Sequence, residues 1–81
     1  MKIVWDEPKR LANIAKHGID FADIDAEFFS SARIGRAKHG RYFAIGELRG
    51  VIVVIFAQLG SEGISVVSAR PANRKERSPL E

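Results

Sequence analysis

Apolar residues recur along the chain in two rhythms, and the change falls near residue 30. Residues 2–5, Lys-Ile-Val-Trp, read as a short strand ended by Asp6-Glu7-Pro8. Asp6 or Glu7 can accept from the free amides of a first helical turn, and Pro8 has no amide to lose there, so a helix is expected to follow. It runs to about His17, with Leu11, Ile14 and Ala15 as its apolar stripe, Lys16 and His17 at the negative end of its dipole, and Gly18 as its stop. A second helix is expected at once: Asp20 caps, Asp23 stands three residues on, and Phe21, Ile24 and Phe28 repeat at helical spacing.

Beyond this point the period shortens toward two. Strands are expected over residues 32–37, 41–48, 51–58 and 64–69, parted by turns at His39-Gly40, Arg49-Gly50 and Gly60-Ser61-Glu62-Gly63. The run Val51-Ile52-Val53-Val54-Ile55-Phe56-Ala57 is apolar at both parities, which marks a central strand buried on both faces. Connections this short dictate an antiparallel meander. Residues 72–78 read as a polar, basic helix or tail cut by Pro79. The expected architecture is therefore α+β: β-α-α, then a meander of about four strands, then a short basic C-terminal helix or tail, in a single domain over residues 1–81. The two helices cover one sheet face. The other is left partly bare, to be closed by a docked partner or by the sheet curling onto its own tail.

Composition narrows the class. With 46% hydrophobic and 28% charged residues the chain is far from the signature of disorder. It has no cysteine, so neither disulfides nor thiolate metal sites can supplement the core, and a reducing compartment fits. The apolar start breaks at Asp6-Glu7, unlike a secretory signal, and the longest apolar run, residues 51–57, falls well short of the roughly 20 residues a membrane span needs. A cytoplasmic protein with no membrane partner is expected.

Net charge is +3, and its distribution says more than its sum. Residues 1–29 hold four basic and six acidic side chains, whereas residues 30–81 hold nine basic and four acidic. The sheet and tail thus carry +5 and the helical half −2, which points to an anionic partner such as nucleic acid or to a merely solvated basic surface.

Several chemistries fall away. His17 and His39 alone, without cysteine, provide no metal-ligand spacing, and no cofactor is expected. Gly60-Ser61-Glu62-Gly63 is a turn and not a phosphate-cradling loop, and no GxSxG elbow is present. What remains is a concentration of cations beside proton carriers: Arg33, Arg36, Lys38, His39, Arg41, then Arg70, Arg74, Lys75 and Arg77. RNA can be cleaved without metal when its own 2′-hydroxyl attacks the adjacent phosphate. The protein then supplies a base, cations for the phosphorane and an acid for the leaving 5′-oxygen. Arginine suits the phosphate and histidine or lysine the proton.

On this basis Arg70 and Arg41 are candidate charge stabilisers, Lys38 or His39 candidate proton carriers, and Arg33, Arg36 and Arg74 candidate contacts to the RNA backbone. A meander places the His39-Gly40 turn at one end of the sheet and Arg33 and Arg70 at the other, roughly 20–26 Å apart, so the two groups should do different jobs unless twist and long side chains unite them. Simple alternation puts Ile64, Val66, Ser68 and Arg70 on one face, and Ile34, Arg36 and Lys38 on one face. Bland alternatives stand beside these roles: Arg70, before Pro71, anchors the tail or grips phosphate, and Lys38, His39 and Arg41 flank a tight turn where side chains are commonly just solvated. Lys16 and His17 serve the helix dipole, Glu47 is a base or an exposed edge carboxylate, and Trp5 and Tyr42 either stack on bases or pack the core.

Several blocks resemble the BrnT toxin family: Ile3-Val4-Trp5-Asp6-Glu7-Pro8-Lys9, Asn13, Lys16-His17-Gly18-Ile19-Asp20-Phe21, Arg41 through Ile45-Gly46, and Val67-Ser68-Ala69-Arg70-Pro71-Ala72 with Lys75-Glu76-Arg77. The resemblance implies a RelE-like fold and a type II toxin that cleaves RNA and arrests translation. It also implies neutralisation by a BrnA-type antitoxin, whose ribbon-helix-helix domain binds the operon's promoter DNA so that the complex represses its own synthesis. Two departures stand out: Ser65 replaces an arginine common before that last strand, and Ser78-Pro79-Leu80-Glu81 replaces the usual basic, tyrosine-bearing end. They leave room for a second function class, a non-catalytic basic module that binds nucleic acid or a protein.

Overall fold

In the computed structural model, which describes residues 1–78, five strands form one sheet in the order β1-β5-β4-β3-β2. The strands are β1 (Lys2–Trp5), β2 (Arg33–Arg36), β3 (Tyr42–Glu47), β4 (Val51–Leu59) and β5 (Gly63–Pro71). β2 through β5 are the expected antiparallel meander. β1 adds to its far edge in parallel, Ile3 beside Ile64 and Trp5 beside Val66, a pairing that alternation could not reveal. The α+β class is as expected. Pro79, expected to cut the tail, lies outside the described residues.

Helix α1 (Glu7–His17) has the expected ends: Asp6 accepts from the Lys9 amide, Pro8 sits in the first turn, and Gly18 at φ 70° returns its amide to the Ile14 carbonyl. Its expected apolar stripe is wrong. Leu11 is 56% exposed and Ala15 is exposed, while Asn13, at 7%, is the buried residue. A polar anchor docks this helix instead: Asn13 Nδ2 donates to the Ile19 carbonyl at 2.9 Å, and the Ala69 amide donates to Asn13 Oδ1 at 3.2 Å. Ala69 lies beyond the last β1 partner, Val66, so Asn13 satisfies a sheet amide where β1 has run out.

The expected second helix from Asp20 is likewise corrected. Asp20 caps only a 3₁₀ turn, Phe21–Asp23, and Ile24 leaves helical geometry. Asp25 then caps the short α2 (Ala26–Ser31), accepting from the Phe28 amide at 2.9 Å. Phe21, Ile24, Phe28 and Phe29 all reach the sheet, and the neighbours Phe28 and Phe29, both within α2, meet edge to face with ring centroids 5.4 Å apart. They bury Ala44, Val54, Phe56, Val66 and Ala69 to form the main core. Gly46 belongs to this layer: a Cβ there would come within 2.9 Å of the Phe28 ring and 3.2 Å of Ala32.

On the opposite face Ile45, Val53 and Ala72 form a smaller cluster with Phe43, Val51 and Ile55 beside them. The one-turn helix α3 (Arg74–Arg77) follows Ala72, closed by an Asn73–Glu76 capping box. The fold of the chain back onto its own tail is therefore real but local. No helix among the described residues is long and apolar enough to cross a membrane.

Candidate nucleic-acid interface

The register shows which cations share a surface. Arg33 pairs with Ile45, Ile45 with Val53, and Val53 with Arg70, so one cross-strand row runs between two arginines over two buried apolar residues. Three strand spacings separate the two arginine backbones by about 14 Å. Alternation along β3 assigns Arg41 to this same face with Phe43 and Ile45, about 13 Å along the strand from the row. Phe43 lies over Gly35 on that face, where any Cβ would collide with its ring.

Arg70 reaches this face only because β5 is irregular. Ile55 pairs with Ser68 but Phe56 with Val66, so Val67 has no counterpart and the strand shifts phase. Val66 and Ala69 are consequently both buried against the helices although they are three residues apart. The expectation that Ile64, Val66, Ser68 and Arg70 share a face is overturned: the first two face the helices, and Ser68 and Arg70 face the open side. Ile34 and Arg36 share a face as expected, the helix-bearing one, which sets Arg36 opposite to Arg33, while Lys38, expected with them, lies beyond β2 in the turn.

Lys38, His39 and Gly40 form the β2–β3 turn, with His39 at φ 62° and Gly40 at φ 71°. The Arg41 amide donates to the Lys38 carbonyl at 3.3 Å, which ties Arg41 to the proton-carrier candidates. Both turn side chains are exposed and lie roughly 20 Å from Arg70. Arg74 is exposed on α3. Among the described residues Arg33, Arg36, Lys38, His39, Arg41 and Arg74 make no side-chain hydrogen bond or ion pair with the protein.

Arg70 differs. Its Nη1 and Nη2 donate to Glu76 Oε1 and Oε2, both at 2.8 Å, and Nη1 also donates to the Pro71 carbonyl at 3.3 Å. The bidentate pair pulls the Glu76 carboxyl down to about 2, against a desolvation cost, with the Asn73 amide assisting. In the same way Glu76 raises the Arg70 guanidinium above its ordinary value. Sequence reasoning named Arg70 and missed its partner. The signal was the Asn73-x-x-Glu76 capping spacing six residues after Arg70, which points a carboxylate back toward the end of β5.

The remaining candidates are absorbed by structure. Trp5 packs on the main core and donates its indole N–H to Glu7 Oε1 at 3.1 Å, and Tyr42 stacks on Phe56 with ring centroids 5.7 Å apart. Glu47 accepts the Gly50 amide in the turn, at 2.6 Å. Arg10 grips Asp20 at 2.8 Å, and that hydrogen bond, with one from the Ala22 amide, lowers the Asp20 carboxyl. A cleft of about 520 Å³ opens on the helix-bearing side between Phe29, Ile34, Tyr42, Phe56 and Ile64, and none of the candidate cations lines it. No cluster of three or more metal-ligating side chains occurs among the described residues.

A helical layer on one side of the sheet and an arginine-bordered open face on the other define a small basic α+β protein. The chain belongs to the family described as ribonuclease toxin, BrnT, of type II toxin–antitoxin systems, whose model matches residues 5–76. The crystal structure of the Brucella abortus ribonuclease toxin, BrnT, is similar to it with 55% identity and a TM-score of 0.85, over 91% of this chain and 99% of that one. Comparison with curated proteins returned no match. Membership of a type II toxin–antitoxin family implies an RNA substrate and an antitoxin partner.

Proposed function

We propose that the protein is a cytoplasmic, metal-independent endoribonuclease whose open sheet face binds RNA, and that its cleavage of RNA inhibits translation. The observation that carries this reading is the row from Arg33 to Arg70 on the uncovered face, with Arg41 on the same side. A phosphate lying over Phe43 and Ile55 has Arg41 on one side and Arg70 on the other, and their forks stabilise charge on its oxygens as the phosphorane forms. The base removes the 2′-hydroxyl proton, the 2′-oxygen bonds to phosphorus, and the 5′-oxygen departs with a proton from the acid. The products are a 2′,3′-cyclic phosphate and a 5′-hydroxyl. Lys38 or His39, tied to Arg41 through the turn, handles a proton at that end. Arg33 and Arg74 hold flanking phosphates, and Arg36 contacts only RNA that runs over the β2 edge.

The partner is a BrnA-type ribbon-helix-helix antitoxin, through which the complex binds promoter DNA and represses its operon. The test of the activity is purified protein incubated with RNA in EDTA. Fragments ending in 2′,3′-cyclic phosphate are expected, together with growth arrest on expression without antitoxin. Absence of cleavage, with or without ribosomes, would instead establish the non-catalytic binding module. Full activity in Arg70→Ala and in the Lys38 and His39 variants would remove the site assignment.

A further inference from the structure

Arg70 is the one site candidate that the fold itself engages, and the manner of the engagement is informative. A guanidinium offers five N–H donors in a plane, along an end edge made by the two Nη atoms and a side edge made by Nε and Nη2. Glu76 takes the end edge with both oxygens, and the Pro71 carbonyl takes the other Nη1 hydrogen. Three donors are spent. The two left over, Nε–H and the second Nη2 hydrogen, lie side by side on the remaining edge, the spacing that meets two oxygens of one phosphate.

Glu76 is itself held. Its Oε1 accepts the Asn73 amide at 2.8 Å, and its own amide donates to Asn73 Oδ1 at 2.8 Å. The pair is half-sheltered, with the Arg70 side chain 39% and the Glu76 side chain 23% exposed. The order of parts is thus sheet, arginine, carboxylate, capped helix turn, each fixing the next.

We infer that Glu76 is a positioning residue for the proposed cleavage: it locks Arg70 by its end edge so that the side edge faces the phosphate on the open sheet face. This rests on the reading of Arg70 as a phosphate stabiliser. It assigns α3 a task beyond covering Ala72, because the helix turn is what keeps Glu76 in place.

Glu76→Gln separates the task from the fold, since glutamine still serves a capping box but cannot offer two charged acceptors to Arg70. In the full-length protein it should slow single-turnover cleavage about 10–100-fold, as small misplacements of a catalytic group do. Affinity for a non-cleavable 2′-deoxy analogue should stay within about threefold, because end-to-end phosphate binding is shared with other cations. Free guanidinium ion should partly restore cleavage to Arg70→Ala, and should fail to restore it to Arg70→Ala/Glu76→Gln. Unchanged or faster cleavage by a folded Glu76→Gln, or equal rescue in both backgrounds, overturns the positioning role. If Arg70→Ala cleaves as the parent does, the site reading itself falls and this inference with it; if Arg70→Ala is inactive and Glu76→Gln is not impaired, only the inference falls.

Discussion

The two faces of the sheet are made from the same strands and serve opposite ends. On the helix side Phe21, Val54 and Val66 are fully enclosed, and an ion pair such as Arg10–Asp20 acts as a staple between helix and turn. On the open side apolar residues are also present, at Ile45 and Val53, but arginines close both ends of their row and, from the tail, Ala72 joins their cluster. The contrast shows that burial alone does not mark a scaffold. The face that lacks a helical layer carries Arg33, without a side-chain partner among the described residues, and Arg70, held by Glu76 along one edge, and it is there that the proposed RNA site lies.

The comparison breaks most readily through chemistry. Arg70→Ala should lower cleavage about 10²–10³-fold, as loss of a preorganised charge stabiliser does, while stability falls by only about 1 kcal/mol through the lost Glu76 pair. Large loss of both activity and folding would place Arg70 in the scaffold. Next in size, Phe21→Ala on the helix side should cost about 3–5 kcal/mol in urea unfolding. A cost below 1 kcal/mol there would deny that this face carries the stability.

Asn13→Ala should cost about 1–3 kcal/mol, because it strands the Ala69 amide and the Ile19 carbonyl in the interior. Asn13→Leu, which restores apolar volume, should not recover it. A smaller effect concerns acid. Glu76 has its folded value near 2 against an ordinary 4.5, so its contribution is complete above about 4.5 and vanishes as pH falls through about 2. Since Arg70 is partly solvated, the contribution is about 1 kcal/mol, and Glu76→Gln should flatten that part of the stability profile between those limits. Smallest of all, Arg33→Ala should leave stability within about 0.5 kcal/mol and reduce the slope of log affinity for RNA against log salt by about 0.7. An unchanged slope would take Arg33 off the binding face.

Much of this division could be seen in the sequence. Alternating apolar residues and glycine turns located all four meander strands, and Asp6, Pro8 and Gly18 located the ends of α1, because those signals are local. What failed was long-range. Nothing in the spacing of Leu11, Ile14 and Ala15 reveals that α1 docks through Asn13, since the amide it serves belongs to β5, 56 residues away. The helix expected from Asp20 broke at Ile24, whose extended backbone lets Asp25 cap a second helix. Composition picked out the basic half and its arginines, yet their sorting into faces depended on one unpaired residue in β5, which no periodicity discloses.

That residue, Val67, acts as a phase shifter. Before it, β5 sends Ile64 and Val66 to the core; after it, the same strand sends Ala69 to the core and Arg70 outward. Regular alternation of the same residues, with Val67 paired, would put Ser68 and Arg70 on the core face and drive the guanidinium toward the phenylalanines, whereas deleting Val67 would straighten the strand and leave Arg70 outward. The face that carries Arg70 is therefore set by how β5 pairs with β4 and not by alternation along β5. A protein built this way keeps its chemistry through the pairing of its strands as much as through the residues they carry.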